Sequence, residues 1–199
     1  MYDHIKDPIL TSGGRKHCIQ RNDFLVPQAK YITHILASPL SRALETAFLT
    51  TKAVTDRGVK VWALPELQSF SSAPSGLGMD VSDLQRLFDG NNAGTRVTAK
   101  GKRMSENINK AKQFNVEDFK GKLDLQFMSD DWNDEYENKE GRWSAAHKDW
   151  RAGYLKGFFR ALQASGERVE IVIVCHSSSL RFLVNDRKSS ISNFILGKD

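Results

Sequence analysis

The chain has 199 residues, of which 40% are hydrophobic and 27% are charged, a composition typical of a globular protein and not of a disordered one. Its 29 Lys and Arg residues exceed its 24 Asp and Glu residues, which gives a net charge of +5 and favours an anionic partner. The basic residues are scattered and form no single stripe, so we expect a small anionic or phosphorylated metabolite and no nucleic acid. With no apolar run long enough for a bilayer and no leader-like start, we expect a cytoplasmic protein without membrane contact.

The first half of the chain predicts a helix, a strand and a second helix after an N-terminal loop. Thr11 is a suitable cap for the first helix. The apolar, β-branched run 31–37 predicts a buried strand. That strand ends at Ser38-Pro39, where a capping residue precedes a proline suited to the first position of the next helix.

The rest of the chain predicts further strands and helices around a region of weak pattern. Strands are predicted at 59–64 and 169–175, and helices at 81–88 and 150–162. The stretch 89–146 shows no clear periodicity. We interpret it as an insertion or cap within a single domain of residues 1–199, although its charges alone are typical of solvated loops.

Strands that alternate with helices predict an α/β fold. We expect a three-layer sandwich whose mostly parallel sheet has helices on both faces. Ligands bind such sheets beyond the carboxyl ends of the strands. The two cysteines, Cys18 and Cys175, lack the spacing of metal ligands, so we expect neither a metal nor another cofactor.

Two of the predicted strands end in polar residues suited to a phosphate. After the first, Arg42 lies in the first turn of a helix, where a guanidinium and free backbone N–H groups can hold an oxyanion. After the last, His176 precedes Ser177 and Ser178, and an imidazolium there suits a phosphoryl group. Taken alone, an arginine in the first turn of a helix is usually solvent-facing, and a histidine at a strand end is usually structural. On one parallel sheet, the two loops would meet and form an anion pocket.

Four segments, in the same order, resemble motifs of the phosphoglycerate-mutase-like histidine phosphatase superfamily, and its fungal-type members most. These segments are DPILTSGGRKH, ASPLSRALETA, LPELQS and IVIVCHSSSLRFL. The resemblance implies a three-layer α/β fold in which Arg42 grips a phosphoryl group and His176 contacts the same group. Ser177 and Ser178 stand where the superfamily has two glycines. The resemblance also implies a phosphohydrolase or mutase that works through a phosphohistidine.

The chain departs from that superfamily at residues that carry its catalysis. The nucleophilic histidine lies in an R-H-G motif ahead of the first of these segments, and the six residues before Asp7 do not contain this motif. Ser69 stands where the superfamily has the glutamate that protonates the leaving group. Glu66, three residues earlier, is either a replacement acid or an ordinary loop carboxylate. His17 is predicted to lie inside a helix, which argues against it as a substitute nucleophile.

These observations leave three functions open. The first is a phosphatase or mutase with degraded catalytic machinery, or one whose nucleophile comes from an upstream segment. The second is a pseudoenzyme that binds an anionic ligand or a protein partner without turnover. The third is a repurposed enzyme that acts on a small metabolite by non-phosphoryl chemistry, with His176 as general acid or base. The missing R-H-G motif and glutamate together favour the second and third.

Overall fold

The structure of the protein, a computed structural model, alternates helices and strands. It describes residues 5–70, 73–88, 116–130, 132–133, 145–164 and 166–184. The strands are β1 (His34–Ala37), β2 (Val61–Ala63), β3 (Leu123–Asp124) and β4 (Ile171–Val174). The α-helices are α1 (Ser12–Leu25), α2 (Ser41–Thr50), α3 (Lys52–Thr55), α4 (Val81–Phe88), α5 (Ala145–Gln163) and α6 (Ser177–Val184). Shorter 3-10 helices lie at Val26–Tyr31, Pro65–Leu67, Pro74–Gly76 and Val116–Phe119.

The four strands form one parallel sheet in the order β3-β2-β1-β4. β1 is central, because Ile35 is in register with Val61 of β2 on one side and with Val172 of β4 on the other. Parallel neighbours require a crossover connection, and helices supply these crossovers. The predicted α/β class with a parallel sheet is confirmed.

Helices cover both faces of this sheet. Successive strand residues point to opposite faces, so each face builds its own core. On β1, Ile35 and Ala37 belong to a core that includes Phe48 of α2 and residues of α4. Leu36, between them, belongs to a second core that includes Leu155 of α5 and a residue of α6. The predicted three-layer sandwich is therefore confirmed, with α2 and α4 on one face and α5 and α6 on the other.

Some predicted details of these elements differ from the structure. Strand β1 begins at His34, later than predicted, because the residues up to Tyr31 form a 3-10 helix directly after α1. Helix α2 begins at Ser41, with Leu40 and not Ser38 at its capping position. Strand β4 is half-buried instead of buried, since it lies at the end of the described sheet beside β1.

Part of the stretch interpreted as a cap belongs to the main core. Strand β3 lies within it and adds to the sheet beside β2. Trp132 is fully buried, and its indole N–H donates a hydrogen bond to the backbone oxygen of Met79 (3.1 Å). Residues 89–115 and 134–144 lie outside the described residues, so the cap interpretation stays a prediction. None of the helices in the described ranges is both long and apolar enough to cross a membrane.

Candidate functional site

His176 lies at the carboxyl edge of the sheet, two residues beyond the end of β4. Its Nε2 is 2.9 Å from the hydroxyl oxygen of Ser38, the first residue after β1. Ser38 is fully buried, and its backbone N–H donates to the oxygen of Val174 (2.9 Å). The loops that follow β1 and β4 are therefore joined directly by side-chain and backbone contacts.

Arg42 lies in the first turn of α2, at the same edge as His176. Its Nη1 donates a hydrogen bond to the backbone oxygen of Ser75 (2.8 Å), and its side chain is half-buried. The positive charge of Arg42 also lowers the pKa of His176. Arg42 and His176 therefore lie at one edge of the sheet, where the charge of the guanidinium acts on the imidazole.

The imidazole of His176 is neutral near pH 7. Burial lowers its pKa most, and the charges of Arg42 and Arg151 lower it further, to about 3. Desolvation and neighbouring cations both oppose a second positive charge. The expectation of an imidazolium at this position is therefore wrong for the free protein, and the positive charge of the site comes from the arginines.

The serines after His176 differ in what they contact. Ser177 begins α6 and is exposed at the surface. The hydroxyl of Ser178 accepts a hydrogen bond from the backbone N–H of Phe70 (3.2 Å). Ser179 is buried, and its hydroxyl donates to the backbone oxygen of Gln68 (2.7 Å). The first turn of α6 therefore contacts the loop that follows β2.

That loop carries Glu66 and Ser69. Glu66 belongs to the 3-10 helix after β2, and the pKa of Tyr154 on α5 is raised by burial and further by the negative charge of Glu66. Glu66 also lines a small crevice of about 10 Å³, room for roughly one water molecule, together with Phe70 and Arg151. Ser69 is buried. Both residues thus follow a strand end at the same edge as His176, with Glu66 beside α5.

Arg151 of α5 belongs to the site and was missed by the sequence analysis. It is 5% exposed and donates from Nε (3.0 Å) and Nη2 (2.7 Å) to the backbone oxygen of Glu66. A helix was predicted at 150–162 from its periodicity, without any role for a charged residue, and on this helix Trp150 and Tyr154 are exposed. The buried residues instead include Arg151 and Leu155, one turn apart. An arginine in helical register with a core leucine was the available signal.

Asp7 was predicted to lie in an ordinary loop, but it is fully buried. Its carboxylate accepts hydrogen bonds from the backbone N–H (2.9 Å) and the hydroxyl (2.7 Å) of Ser41. Asp7 therefore supplies the cap of α2 that the sequence analysis assigned to Ser38. Burial raises the pKa of Asp7 to about 6, while the bonds from Ser41 and the charge of Arg42 lower it. Because this carboxylate holds the Ser41 N–H, anion binding at this loop depends on the Arg42 side chain.

Two other histidines lie on α1 and at the start of β1. His17 is exposed within α1. His34 begins β1, at the amino end of the strand, and its ring packs edge-on against Trp62 (5.1 Å between centroids). Neither position fits a nucleophile that acts beside His176. Among the side chains that the structure describes, no group of three or more His, Cys, Asp or Glu residues is placed to hold a metal ion.

The chain is similar to a protein of Schizosaccharomyces pombe described as a probable phosphatase. The two are 33% identical over 85 residues, which make up 42% of this chain and 39% of that relative. The similar region therefore spans less than half of either protein. No family profile matches the chain. A parallel α/β sheet is compatible with this partial similarity.

Proposed function

We propose that this protein binds the phosphate group of a small metabolite between Arg42 and His176. The observation that carries the proposal is the contact between His176 and Ser38, which joins the ends of β1 and β4 with the Arg42 charge close by. Parallel sheets bind ligands at this edge. The similarity to a probable phosphatase supports the same substrate class.

The chemistry of binding is divided between charge and hydrogen bonding. Arg42 supplies a positive charge with several N–H donors, which suit the oxygens of a phosphate. His176 contributes a neutral imidazole, and Ser177 contributes an exposed first residue of α6. Helix starts present unpaired backbone N–H groups, which favour an anion. A phosphate dianion beside His176 would in turn raise its pKa.

We further propose that the protein belongs to the phosphoglycerate-mutase-like histidine phosphatases and that these 199 residues hydrolyse phosphomonoesters poorly. The four similar motifs support membership. Ser69, at the position of the leaving-group acid, cannot donate a proton as a glutamic acid does. General acid catalysis typically increases the rate of a reaction by about 10²–10⁴-fold. In this protein Glu66, which lies beside α5, would have to donate the proton.

The proposal is tested by thermal unfolding with and without inorganic phosphate. We expect phosphate to raise the melting temperature of the wild type, because a ligand that binds only the folded state stabilises it. Arg42→Met and His176→Asn should lose most of this shift. Arg57→Met is a matched control, since Arg57 also donates to backbone oxygens (Ala29 and Ile32) but lies elsewhere.

Hydrolysis of p-nitrophenyl phosphate tests the second part. We expect release of p-nitrophenol close to the uncatalysed rate. Rapid release that depends on His176 would show an active phosphatase and refute the proposed loss of turnover. No stabilisation of the wild type by phosphate or by any phosphorylated metabolite tried would refute the anion site itself.

A further inference from the structure

Arg151 contacts three residues of the loop that follows β2. Its guanidinium donates to the backbone oxygens of Glu66 and Gln68 in the loop after β2. The same guanidinium lies 4.2 Å from the centre of the Phe70 ring. One buried side chain of α5 therefore contacts three residues of this loop. The planar fork of arginine suits this bridging, because it presents several N–H groups in a fixed geometry.

Helix α6 holds the same loop from its other side. The Ser179 hydroxyl donates to Gln68, whose backbone oxygen also accepts from Arg151. The backbone N–H of Phe70 donates to the Ser178 hydroxyl. The loop is thus fixed between α5 and the first turn of α6, which begins directly after His176.

We infer that Arg151 is a positioning residue for the anion site: it fixes the loop 66–70 against the first turn of α6 and so holds His176 and its serines in one geometry. The inference rests on the proposed function, since it concerns the same site. Removal of the guanidinium would leave the backbone oxygens of Glu66 and Gln68 without these bonds. The contacts that Ser178 and Ser179 make with the loop would then no longer hold α6 in place.

The charge of Arg151 acts on the same imidazole. It lowers the pKa of His176, as does Arg42 from α2, and it also acts on the neighbouring thiol of Cys175. The ring also contacts the Ser38 hydroxyl. A lysine at position 151 would keep this charge but could not bridge the backbone oxygens as the arginine fork does.

The experiment compares Arg151→Lys and Arg151→Met with Arg160→Met, which removes an exposed arginine of the same helix. Calorimetry measures the affinity for inorganic phosphate, and NMR follows the titration of the His176 imidazole. We expect both Arg151 variants to bind phosphate about ten- to a hundredfold more weakly, because misplaced binding groups lose affinity steeply. The His176 titration should move to higher pH in Arg151→Met but not in Arg151→Lys. Arg160→Met should resemble the wild type in both measurements.

The outcomes separate this inference from the proposed function. If the wild type binds phosphate and both Arg151 variants bind it equally well, Arg151 does not position the site. If the wild type binds no phosphate, the proposed function fails first. If Arg151→Met does not fold, Ser179→Ala tests the same loop from α6. That variant should weaken phosphate binding and speed amide exchange at Phe70, and unchanged values of both would refute the inference.

Discussion

Replacing Asp7 by asparagine should change how stability depends on pH. Asp7 is fully buried and its carboxylate caps α2 through Ser41. Asparagine has the same shape, so its oxygen can accept from the Ser41 N–H while its amide donates to the hydroxyl. Asparagine does not titrate, and the substitution therefore removes the ionisation while it keeps the cap.

The magnitude follows from the pKa of Asp7, which is raised from 3.8 to about 6. The folded protein binds this proton more tightly than the unfolded chain. The carboxyl therefore destabilises the fold increasingly as pH rises from about 3.8 to about 6, and by a constant amount above that range. The full difference corresponds to about 3 kcal/mol. Between pH 4.5 and 7, we expect the stability of the wild type relative to Asp7→Asn to fall by about 2 kcal/mol.

Urea unfolding of both proteins at pH 4.5 and pH 7, followed by tryptophan fluorescence, measures this difference. Other titrating groups are shared by the two proteins and largely cancel. Asp7→Ala is the control for the cap: it leaves two buried groups of Ser41 without their acceptor and should cost about 1–3 kcal/mol or more at either pH. A wild type whose stability relative to Asp7→Asn is the same at both pH values would refute the raised pKa of Asp7.

Two further predictions concern packing and thiol reactivity. A Cβ added at Gly78 would lie 2.1 Å from the ring of Trp132, so Gly78→Ala should lower stability by about 1–3 kcal/mol in urea unfolding. At Gly157, in the middle of α5, an added Cβ would have no atom within 4 Å, so Gly157→Ala should instead raise the stability by about 0.5–1 kcal/mol. Equal effects of the two substitutions would contradict the close contact at Gly78. Burial raises the pKa of Cys175 to about 11 and also raises that of Cys18. Both thiols should therefore react slowly with Ellman's reagent at pH 8 in the native protein and rapidly in urea. Fast reaction of the native protein would contradict the burial of these thiols.

Local patterns were enough to predict most of the sheet. Alternate residues of β1 belong to cores on opposite faces, and an apolar run with this property predicts a strand covered on both sides. The position of His176 after β4 could be predicted for the same reason, since a polar residue ends an uninterrupted apolar run. The two-residue strand β3 is too short to leave such a pattern.

Contacts between distant residues could not be predicted in this way. The cap of α2 comes from Asp7, 34 residues before Ser41, whereas capping rules consider only adjacent residues and favoured Ser38. Arg151 was missed because the periodicity of 150–162 predicts a helix but gives no role to a charged residue within it. Its role depends on backbone carbonyl groups of the loop after β2, and a sequence pattern does not predict where these groups lie relative to Arg151. The neutral state of His176 likewise depends on burial and on two arginines from other elements.

The most direct test of the anion site is a crystal structure of the protein with tungstate, a phosphate analogue that is readily located by its electron density. We expect one tungstate at the carboxyl edge of the sheet, within hydrogen-bond distance of both the Arg42 guanidinium and the His176 imidazole. Crystals that hold tungstate only at other surfaces, or none at saturating concentration with this edge open to solvent, would contradict the proposed anion site.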